Sequence, residues 1–435
     1  MKSIIIFDIG KTNKKAILYD YSYNELWQTS RIFPEIYDED NYPCEDLQSI
    51  LVWMKELLYQ LIKENKFEIT HLNFSSYGAS FVHIDKAGNI LTPLYNYTKP
   101  LPEEIRYSFY QKQGGEERMA VETSSPTLEF LNSGLQIYYI KKRYPFIFDK
   151  IAWSLHLPQY LSYYFTHHPI SEYTSIGCHT TLWNFQENNY HQWVYEEKIV
   201  EKLPPIKASN TRFEINILGS KIQTGIGIHD SSSALYPYTL SSNEPYLLLS
   251  TGTWSIVFNP FSSVHLSKEE LGKDCLLFLQ PDGKPVKAAR LFLGNAYQKQ
   301  LEEIVEFFQY DVDHFEEESI KDNLLEKFSA SDPIHFSFPS LKLANNAKEA
   351  SDLGKFKSFE EAYYRMVWEL SSYQIIKINL ASEGIQFKKI FLEGGFSKNQ
   401  LFIACLKKQL PSVEIIISGY SSGASLGAAM QVMNI

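Results

Sequence analysis

Two stretches of the chain share one pattern of hydrophobic and polar positions. In each, an apolar run of strand length meets a short turn that contains Gly and Thr, and a second apolar run follows. The first stretch is I-I-I-F-D-I-G-K-T-N-K-K-A-I-L-Y at residues 4–19, and the second is Y-L-L-L-S-T-G-T-W-S-I-V-F at residues 246–258. We predict a β-hairpin in each stretch, with a turn whose backbone N–H groups and hydroxyls can bind an anion.

A second pattern, with apolar residues three and four positions apart, predicts helices between further strands. Helices are expected over residues 46–63, 295–308, 397–409 and 424–433 and after residue 358, and strands over residues 69–75, 81–84, 389–392 and 413–417. Ser358 and Ser397 are predicted N-caps, because Glu361 and Gln400 follow them at capping-box spacing. The alternation of strands and helices predicts a layered α/β fold.

The length and charge of the chain narrow the classes of function. A length of 435 residues is enough for two domains. The polar, Pro-containing segment 240–245 is the predicted boundary between a domain of residues 1–240 and one of residues 241–435. The formal net charge of -10 argues against a nucleic-acid partner, since no basic face is available to neutralise phosphates.

Cysteine usage and hydropathy indicate where the protein works. The 4 cysteines are far apart in the sequence and form no C-x-x-C motif, which predicts neither a metal site nor a disulfide framework. No apolar run approaches the ~18 residues that a membrane span requires. The chain enters a strand directly after Ser3, which leaves no room for a signal peptide. We therefore expect a cytoplasmic protein without a membrane partner.

Two carboxylates are candidates for chemistry. Asp8 interrupts a strand that is otherwise apolar, where a charge is costly unless it meets a cation or hydrogen-bond donors. Asp230 follows a glycine-rich approach just before the predicted boundary. Each also has a structural interpretation: Asp8 can cap a turn, and Asp230 can cap a helix. Gly10-Lys11-Thr12 is not a Walker A loop, because that motif requires Gly where this chain has Ile5.

The order and separation of four motifs are more informative than any one of them. D-I-G starts at Asp8, G-I-H-D ends at Asp230, S-T-G-T-W starts at Ser250 and E-G-G-F-S starts at Glu393. This set spans nearly the whole chain and resembles the FGGY family of carbohydrate kinases, within the actin, hexokinase and Hsp70 superfamily. The resemblance implies an α/β protein of two actin-like (ribonuclease H-like) ATPase domains with a cleft between them. It also implies transfer of phosphate from ATP, with Mg²⁺, to a small-molecule sugar.

The resemblance implies roles for individual residues. Asp230 matches the catalytic base of the family, and Asp8 is expected near the magnesium ion. The residues matched to sugar contacts are Tyr77, Gly78, His229 and Asp230. The residues matched to ATP contacts are Gly10, Lys11, Thr12, Asn13, Thr251, Gly252, Thr253, Gly294, Gly394, Gly395 and Asn399.

Within the family, Trp254 and the pair Tyr77-Gly78 look most like the rhamnulokinases and fuculokinases. A ketose or 6-deoxy-ketose, such as L-rhamnulose or L-fuculose, is therefore the expected substrate. The chain departs from the family pattern at Lys11, at Ala79-Ser80 and at Tyr95-Asn96-Tyr97, where Y-R-D is usual. These departures leave open the alternative of a nucleotide-binding sugar sensor without turnover. The sequence also leaves open whether the protein is a homodimer.

Overall fold

Two β-sheets organise the computed structural model of this chain. The residues that it describes are 1–241, 244–262, 266–311, 320–329, 335–341, 350–382, 384–419 and 423–434. Helices pack on both sheets, as an alternating order of strands and helices predicts.

The N-terminal half carries the first set of elements. Its strands are β1 (Lys2–Ile9), β2 (Lys14–Tyr19), β3 (Glu25–Arg31), β4 (Glu35–Tyr37), β5 (Pro43–Glu45), β6 (Glu68–Ser76), β7 (Phe81–Ile84), β8 (Trp153–His156), β9 (Trp183–Asn184), β10 (Asn189–Tyr190), β11 (Arg212–Ile217), β12 (Ser220–Gly225) and β13 (Ile228–His229). Its helices are α1 (Leu47–Glu64), α2 (Glu103–Lys112), α3 (Glu116–Thr123), α4 (Gly134–Arg143), α5 (Pro145–Lys150), α6 (Leu157–Thr166), α7 (Tyr173–Ile176), α8 (Gln192–Glu196) and α9 (Asp230–Ser241).

The first sheet has the strand order β11-β12-β6-β1-β2-β3, and β13 also pairs with β6. β1 and β2 form the predicted antiparallel hairpin, and β1 and β13 run parallel to β6 on its two sides. The side chains of residues 4–7 are fully buried, which explains why this strand is a continuous apolar run. Because β1, β6 and β13 are parallel, their carboxyl ends meet at one edge, where they are followed by Gly10, Tyr77 and Asp230.

The C-terminal half carries the second set of elements. Its strands are β14 (Tyr246–Thr251), β15 (Ser255–Asn259), β16 (Cys275–Leu279), β17 (Pro285–Leu291), β18 (Lys389–Gly394) and β19 (Glu414–Ile417). Its helices are α10 (Lys268–Gly272), α11 (Leu293–Phe308), α12 (Asp322–Ser329), α13 (Phe359–Ser382), α14 (Gln400–Gln409) and α15 (Gly423–Met433).

The second sheet repeats the plan of the first. Its strand order is β16-β17-β15-β14-β18-β19. β14 and β15 form the second predicted hairpin, and β14 runs parallel to β18 in a register that pairs Thr251 with Gly394. The turn after β14 and the Gly394-Gly395 pair after β18 therefore lie side by side at the carboxyl edge of this sheet.

Most predicted helix boundaries are confirmed, and one N-cap is wrong. Asp46 caps α1 by accepting a hydrogen bond from the Ser49 backbone N–H at 3.1 Å. The cap of α14 is Asn399, which accepts from the Phe402 N–H at 2.7 Å, and not Ser397. The Ser397 hydroxyl instead donates to the Gly394 carbonyl in a short 3-10 turn over residues 395–398.

Helix α15 packs on the first sheet, although it follows every strand of the second sheet in the chain. The Asn73 side-chain amide donates to the Ala428 carbonyl at 2.9 Å, and the Tyr19 and Ser425 hydroxyls lie 2.8 Å apart. Leu426 and its neighbours join an apolar cluster with residues of β1 and β2. The predicted boundary at residue 240 thus falls between the two sheets, but α15, which comes after the boundary, packs on the sheet that precedes it. Residues 242–243 of the predicted linker lie outside the described residues.

Candidate active site

The first turn lies between β1 and β2 at residues 10–13. The Gly10 N–H donates to the Asn13 carbonyl at 3.1 Å, which closes the turn. The Lys11 ammonium group points away, toward Glu35 at 2.9 Å and Glu45 at 3.5 Å. Thr12 and Asn13 are exposed. The backbone of the turn and these two side chains are therefore the parts that face outward.

Asp8 lies in β1, which is separated from β13 by β6. It pairs across the sheet with Ser75 of β6, and Ser75 in turn pairs with Ile228 of β13. Burial, and next the negative charge of Asp230, raise the pKa of Asp8 to about 6. Burial and a neighbouring negative charge both disfavour the ionised form of Asp8, and a cation bound nearby would favour it.

Asp230 is the first residue of α9. Its Oδ1 accepts a hydrogen bond from the Ser231 N–H at 2.6 Å and lies 3.2 Å from the His229 Nε2. The hydrogen bond goes to the amide of the next residue, and not to that of the second or third residue after Asp230 as the capping interpretation predicts. The side chain is 34% exposed, so the carboxylate is held from one side and open on the other.

The predicted sugar contacts are brought together around Asp230. A Cβ atom on Gly78 would lie only 2.6 Å from Cδ2 of His229, so only glycine allows the two residues to approach this closely. Tyr77 packs edge-on against Tyr97, with the ring centroids 5.7 Å apart. Burial raises the pKa of the Tyr97 phenol, and the charges of Lys11 and Asp230 act on it in opposite directions.

Tyr97 was not among the predicted site residues. The only signal for it in the sequence is the replacement of Y-R-D by Tyr95-Asn96-Tyr97, which marks a departure and not a role. Asn96 is turned inward, since its side-chain amide donates to the Pro43 carbonyl at 3.0 Å. The Tyr77 and Tyr97 rings therefore form an aromatic wall on one side of the site around Asp230.

The second turn corrects the role predicted for Thr251. The Thr251 hydroxyl donates to the Glu393 carbonyl and accepts from the Phe396 N–H, at 3.1 Å for the latter bond. Thr251 is buried, so its hydroxyl ties the turn to the Gly394 segment and is not directed toward a phosphate. Gly252 and Thr253 are exposed, and the Gly252 N–H donates to the Trp254 carbonyl at 2.8 Å.

A cavity of about 500 Å³ opens beside this turn. Its lining contains Gly252, Thr253, Gly294, Asn295, Tyr297, Gln298, Gly395, Phe396 and Asn399. Five of these nine residues were predicted ATP contacts, although they come from three separate segments of the sequence. The Asn295 Oδ1 is buried and has no hydrogen-bond partner within the described residues, so it is a polar group available to a ligand.

Two glycines shape this cavity by allowing close backbone contact. A Cβ on Gly294 would lie 2.3 Å from the Gly252 carbonyl oxygen, and the Gly294 N–H donates to the Thr253 carbonyl at 3.1 Å. Gly394 has a φ of +82°, and a Cβ there would lie 1.8 Å from the Thr251 carbonyl oxygen. Gly394 lies outside the lining of this cavity, and its close contact with Thr251 joins the second turn to the segment that follows β18.

Metal binding at this site rests on Asp8. Among the residues that the structure describes, no group of three or more His, Cys, Asp or Glu side chains could hold a metal ion. Mg²⁺ needs no such group, because it is usually bound by one or two carboxylates together with substrate phosphates and water. Asp8, which is partly exposed and feels the charge of Asp230, fits that mode of binding.

Membrane insertion finds no support in the helices. In the described parts of the chain, no helix is both long enough and apolar enough to cross a membrane.

Comparison with known proteins agrees with this arrangement. Residues 3–230 match the model of the FGGY family of carbohydrate kinases, N-terminal domain. A rhamnulokinase of Oceanobacillus iheyensis is 24% identical over 271 residues, which are 58% of this chain and 54% of that protein. The chain thus spans about half the length of the curated relatives that it matches.

Solved structures of sugar kinases share the fold. A carbohydrate kinase from Novosphingobium aromaticivorans has a TM-score of 0.81 at 20% identity, covering 99% of this chain and 91% of that one. A xylulose kinase from Lactobacillus acidophilus has a TM-score of 0.74 at 14% identity, covering 99% and 89%. With more than half of its residues matched by the family model, the chain belongs to the FGGY family of carbohydrate kinases.

Proposed function

We propose that this protein transfers a phosphoryl group from ATP to a sugar hydroxyl, with Asp230 as the general base. The supporting observation is the convergence of three parallel strand ends on the first turn, the Tyr77-Gly78 segment and Asp230. The cavity of about 500 Å³ beside the second turn has the volume of a small-molecule site. We assign the sugar to residues 1–240 and the nucleotide to residues 241–435.

The geometry of Asp230 suits proton acceptance from a bound hydroxyl. Its Oδ1 is held by the Ser231 N–H and the His229 imidazole. Its Oδ2 accepts no hydrogen bond within the described residues, so this oxygen is available to orient a hydroxyl group and take its proton. Phosphoryl transfer has a loose transition state, so positioning of the acceptor matters as much as basicity.

The two turns supply donors for the phosphates. Their outward-facing backbone N–H groups, with the Thr12 and Thr253 hydroxyls, can neutralise negative charge without a basic surface. Mg²⁺ held by Asp8 would neutralise further charge on the phosphates when it is bound. Closure of the cleft would exclude water, which otherwise competes with the sugar as the acceptor.

We propose a ketose or 6-deoxy-ketose, such as L-rhamnulose or L-fuculose, as the sugar. The proposal draws support from Trp254 in the second turn and from the rhamnulokinases among the relatives. The Trp254 ring stacks on Phe292 with the centroids 4.5 Å apart, and the Arg290 guanidinium lies 5.4 Å from the Trp254 centroid, so the ring is held in place while it remains 45% exposed. Initial rates with L-rhamnulose, L-fuculose, D-xylulose, glycerol and gluconate test this choice. A strong preference for glycerol or gluconate would refute it.

The variant Asp230→Asn tests the catalytic role. Asn caps a helix about as well as Asp, so a structural role predicts little change in rate or melting temperature. A general base predicts a fall in kcat of roughly 10²–10⁴-fold with folding and ATP affinity retained. The control is Asp282→Asn, which changes an exposed carboxylate in the turn between β16 and β17. The measurements are ADP release with the sugar panel, the melting temperature and the ATP affinity.

The same assay decides between the enzyme and a sensor. ATP binding by the unaltered protein without ADP release on any ketose, aldose or polyol would favour a sugar sensor without turnover. A near-normal kcat of Asp230→Asn on a working substrate would remove Asp230 from the mechanism.

A further inference from the structure

A hydrogen-bonded chain directly behind Asp230 consists of the buried Cys178 and His229 side chains and the partly exposed His179. The Cys178 Sγ lies 3.2 Å from the His179 Nε2 and 3.3 Å from the His229 Nε2. The His229 Nε2 also lies 3.2 Å from the Asp230 Oδ1. At its far end, the His179 Nδ1 lies 3.1 Å from the Leu131 carbonyl oxygen. The chain therefore connects a backbone carbonyl to the carboxylate of the proposed base.

The carbonyl at the far end sets the direction of every hydrogen bond. A carbonyl oxygen can only accept, so the His179 Nδ1 must carry the proton and the His179 Nε2 is left as an acceptor. The Cys178 thiol can satisfy that acceptor by donating its S–H. The Cys178 sulfur then has only acceptor capacity left for the His229 Nε2. His229 must consequently carry its proton on Nε2, from where it reaches both the sulfur and the Asp230 carboxylate.

The other tautomer of His229 places two acceptors in contact. A proton on Nδ1 would leave the Nε2 lone pair 3.2 Å from the Asp230 Oδ1. It would also require the single Cys178 proton to serve two acceptor nitrogens, one on His179 and one on His229. In the Nε2–H tautomer, the Nδ1 shares the Ser232 hydroxyl proton with the Leu279 carbonyl, since the Ser232 Oγ lies 3.4 Å from the Nδ1 and 3.3 Å from that carbonyl oxygen.

Burial keeps all members of the chain in their neutral forms. It lowers the pKa of His179 to about 3, with the Arg290 charge as the next cause. Burial also lowers the pKa of His229 and raises the pKa of the Cys178 thiol well above its usual range. Two neutral imidazoles and a protonated thiol are the states that the hydrogen-bond directions require.

The backbone around Cys178 and His179 is shaped to hold them there. A Cβ on Gly177 would lie 2.3 Å from Cγ of Leu279, so glycine lets this loop press against β16. His179 has a φ of 42°, a left-handed conformation that a non-glycine residue adopts only when its surroundings impose it. Phe278 of β16 packs against the rings of His179 and His229, with centroid distances of 6.0 and 6.1 Å.

We infer that Cys178 and His179 are positioning residues that fix the tautomer of His229, so that its Nε2–H holds the Asp230 carboxylate. The inference rests on the proposed role of Asp230 as the base. According to this inference, Cys178 helps to determine the rate of the reaction although it touches neither substrate.

Substitution of Cys178 tests the inference through activity. Cys178→Ala removes both the donor and the acceptor, and we expect kcat to fall about threefold to tenfold, the equivalent of one internal hydrogen bond, with an unchanged KM for ATP. Cys178→Ser keeps a donor and an acceptor, and we expect it to stay within about twofold of the unaltered enzyme. The matched control is Cys275→Ala, which removes an equally buried thiol in β16. An unchanged kcat in Cys178→Ala, or an equal loss in Cys178→Ser, would overturn the inference.

The tautomer itself can be read without any turnover. In protein labelled with ¹⁵N-histidine, the two ring nitrogens of His229 have distinct shifts according to which one is protonated, and His229→Gln identifies its signals. We expect protonation at Nε2 in the unaltered protein and mixed tautomers in Cys178→Ala. Protonation at Nδ1 in the unaltered protein would overturn the inference even if Asp230→Asn is inactive. The reverse result, an Nε2 proton with an active Asp230→Asn, would leave the tautomer standing and refute the proposed base.

Side-chain length provides a further check in the assay. Gln places its amide nitrogen near the position of the imidazole Nε2, whereas Asn places it near Nδ1. We therefore expect His229→Gln to retain more activity than His229→Asn. The opposite order would contradict a donor at Nε2.

Discussion

Gly394 is the residue where a single methyl group should disturb the nucleotide site most. A Cβ atom there would lie 1.8 Å from the carbonyl oxygen of Thr251, its partner in the register of β14 and β18. The obstacle is the backbone of β14 at the carboxyl edge of the sheet, so no side-chain rotation can relieve the contact. The φ of +82° adds a second cost, since this conformation is unfavourable for any L-residue.

The magnitude of the effect follows from these two contributions. A left-handed conformation costs about 1–2 kcal/mol. Overpacking in a well-packed interior costs about 1–3 kcal/mol. Gly394→Ala should therefore lose about 2–5 kcal/mol, a large part of the ~5–15 kcal/mol that stabilises a typical domain. For a unit of about 200 residues, this loss lowers the melting temperature by roughly 4–20 °C.

The neighbouring glycine provides the matched control. A Cβ on Gly395 meets nothing within 4 Å, and its backbone is not left-handed. Gly395→Ala should melt like the unaltered protein, and any effect should appear in the KM for ATP, because Gly395 lines the cavity. The assay is thermal denaturation of both variants without nucleotide, followed by circular dichroism. A Gly394→Ala protein that melts within about 2 °C of the unaltered one would refute the reasoning.

Three further predictions concern the first sheet and its site. Gly78→Ala should lower kcat about 10–100-fold, because its Cβ would lie 2.6 Å from the His229 ring, whereas Gly272→Ala, with open space around it, should not. Asp8→Ala should raise the Mg²⁺ concentration for half-maximal activity about tenfold or more while leaving sugar affinity unchanged; a collapse of sugar affinity at unchanged Mg²⁺ dependence, measured by separate titrations, would contradict the role of Asp8. Acidification should destabilise the fold, because burial lowers the pKa of His83, His156 and His179 to about 3. As the pH falls below ~6.5, only the unfolded chain takes up their protons. Between pH 7.5 and 5, each contributes a loss of about 2 kcal/mol, offset in part by the raised pKa of Asp8. The midpoint of urea denaturation at the two pH values measures this loss of stability, and an unchanged midpoint would contradict the prediction.

Local sequence patterns were sufficient to predict the two hairpins and most helices. Residues 4–7 and 246–249 are apolar because both faces of their strands are covered, and Gly and Thr follow where the chain turns. These signals lie within a few residues of the structure that they determine. The resemblance to the family then brought the distant motifs together, and five of the predicted ATP contacts do line one cavity.

The predictions that failed depend on contacts that the local sequence pattern does not show. From the sequence alone, the Thr251 hydroxyl is expected to face a phosphate. In the structure it is hydrogen-bonded to Glu393 and Phe396, which lie more than 140 positions later in the chain. Ser397 has good capping-box spacing, but the 3-10 turn after Gly394 shifts the cap of α14 to Asn399. Tyr97 gave no positive signal, because its role follows from its contact with Tyr77 across two segments.

The position of α15 has a consequence for the order in which the protein can fold during synthesis. Residues 3–230 form nearly all of the first sheet, yet one of its apolar faces is covered by residues 426–432. A nascent chain therefore carries that face uncovered while the whole second sheet is being translated, about 200 residues later. At ~5–20 residues per second, this interval lasts roughly 10–40 s, which is long enough for a chaperone to bind the exposed strands or for them to aggregate. The core of the first sheet is thus closed only after the second half of the chain has been translated as far as α15.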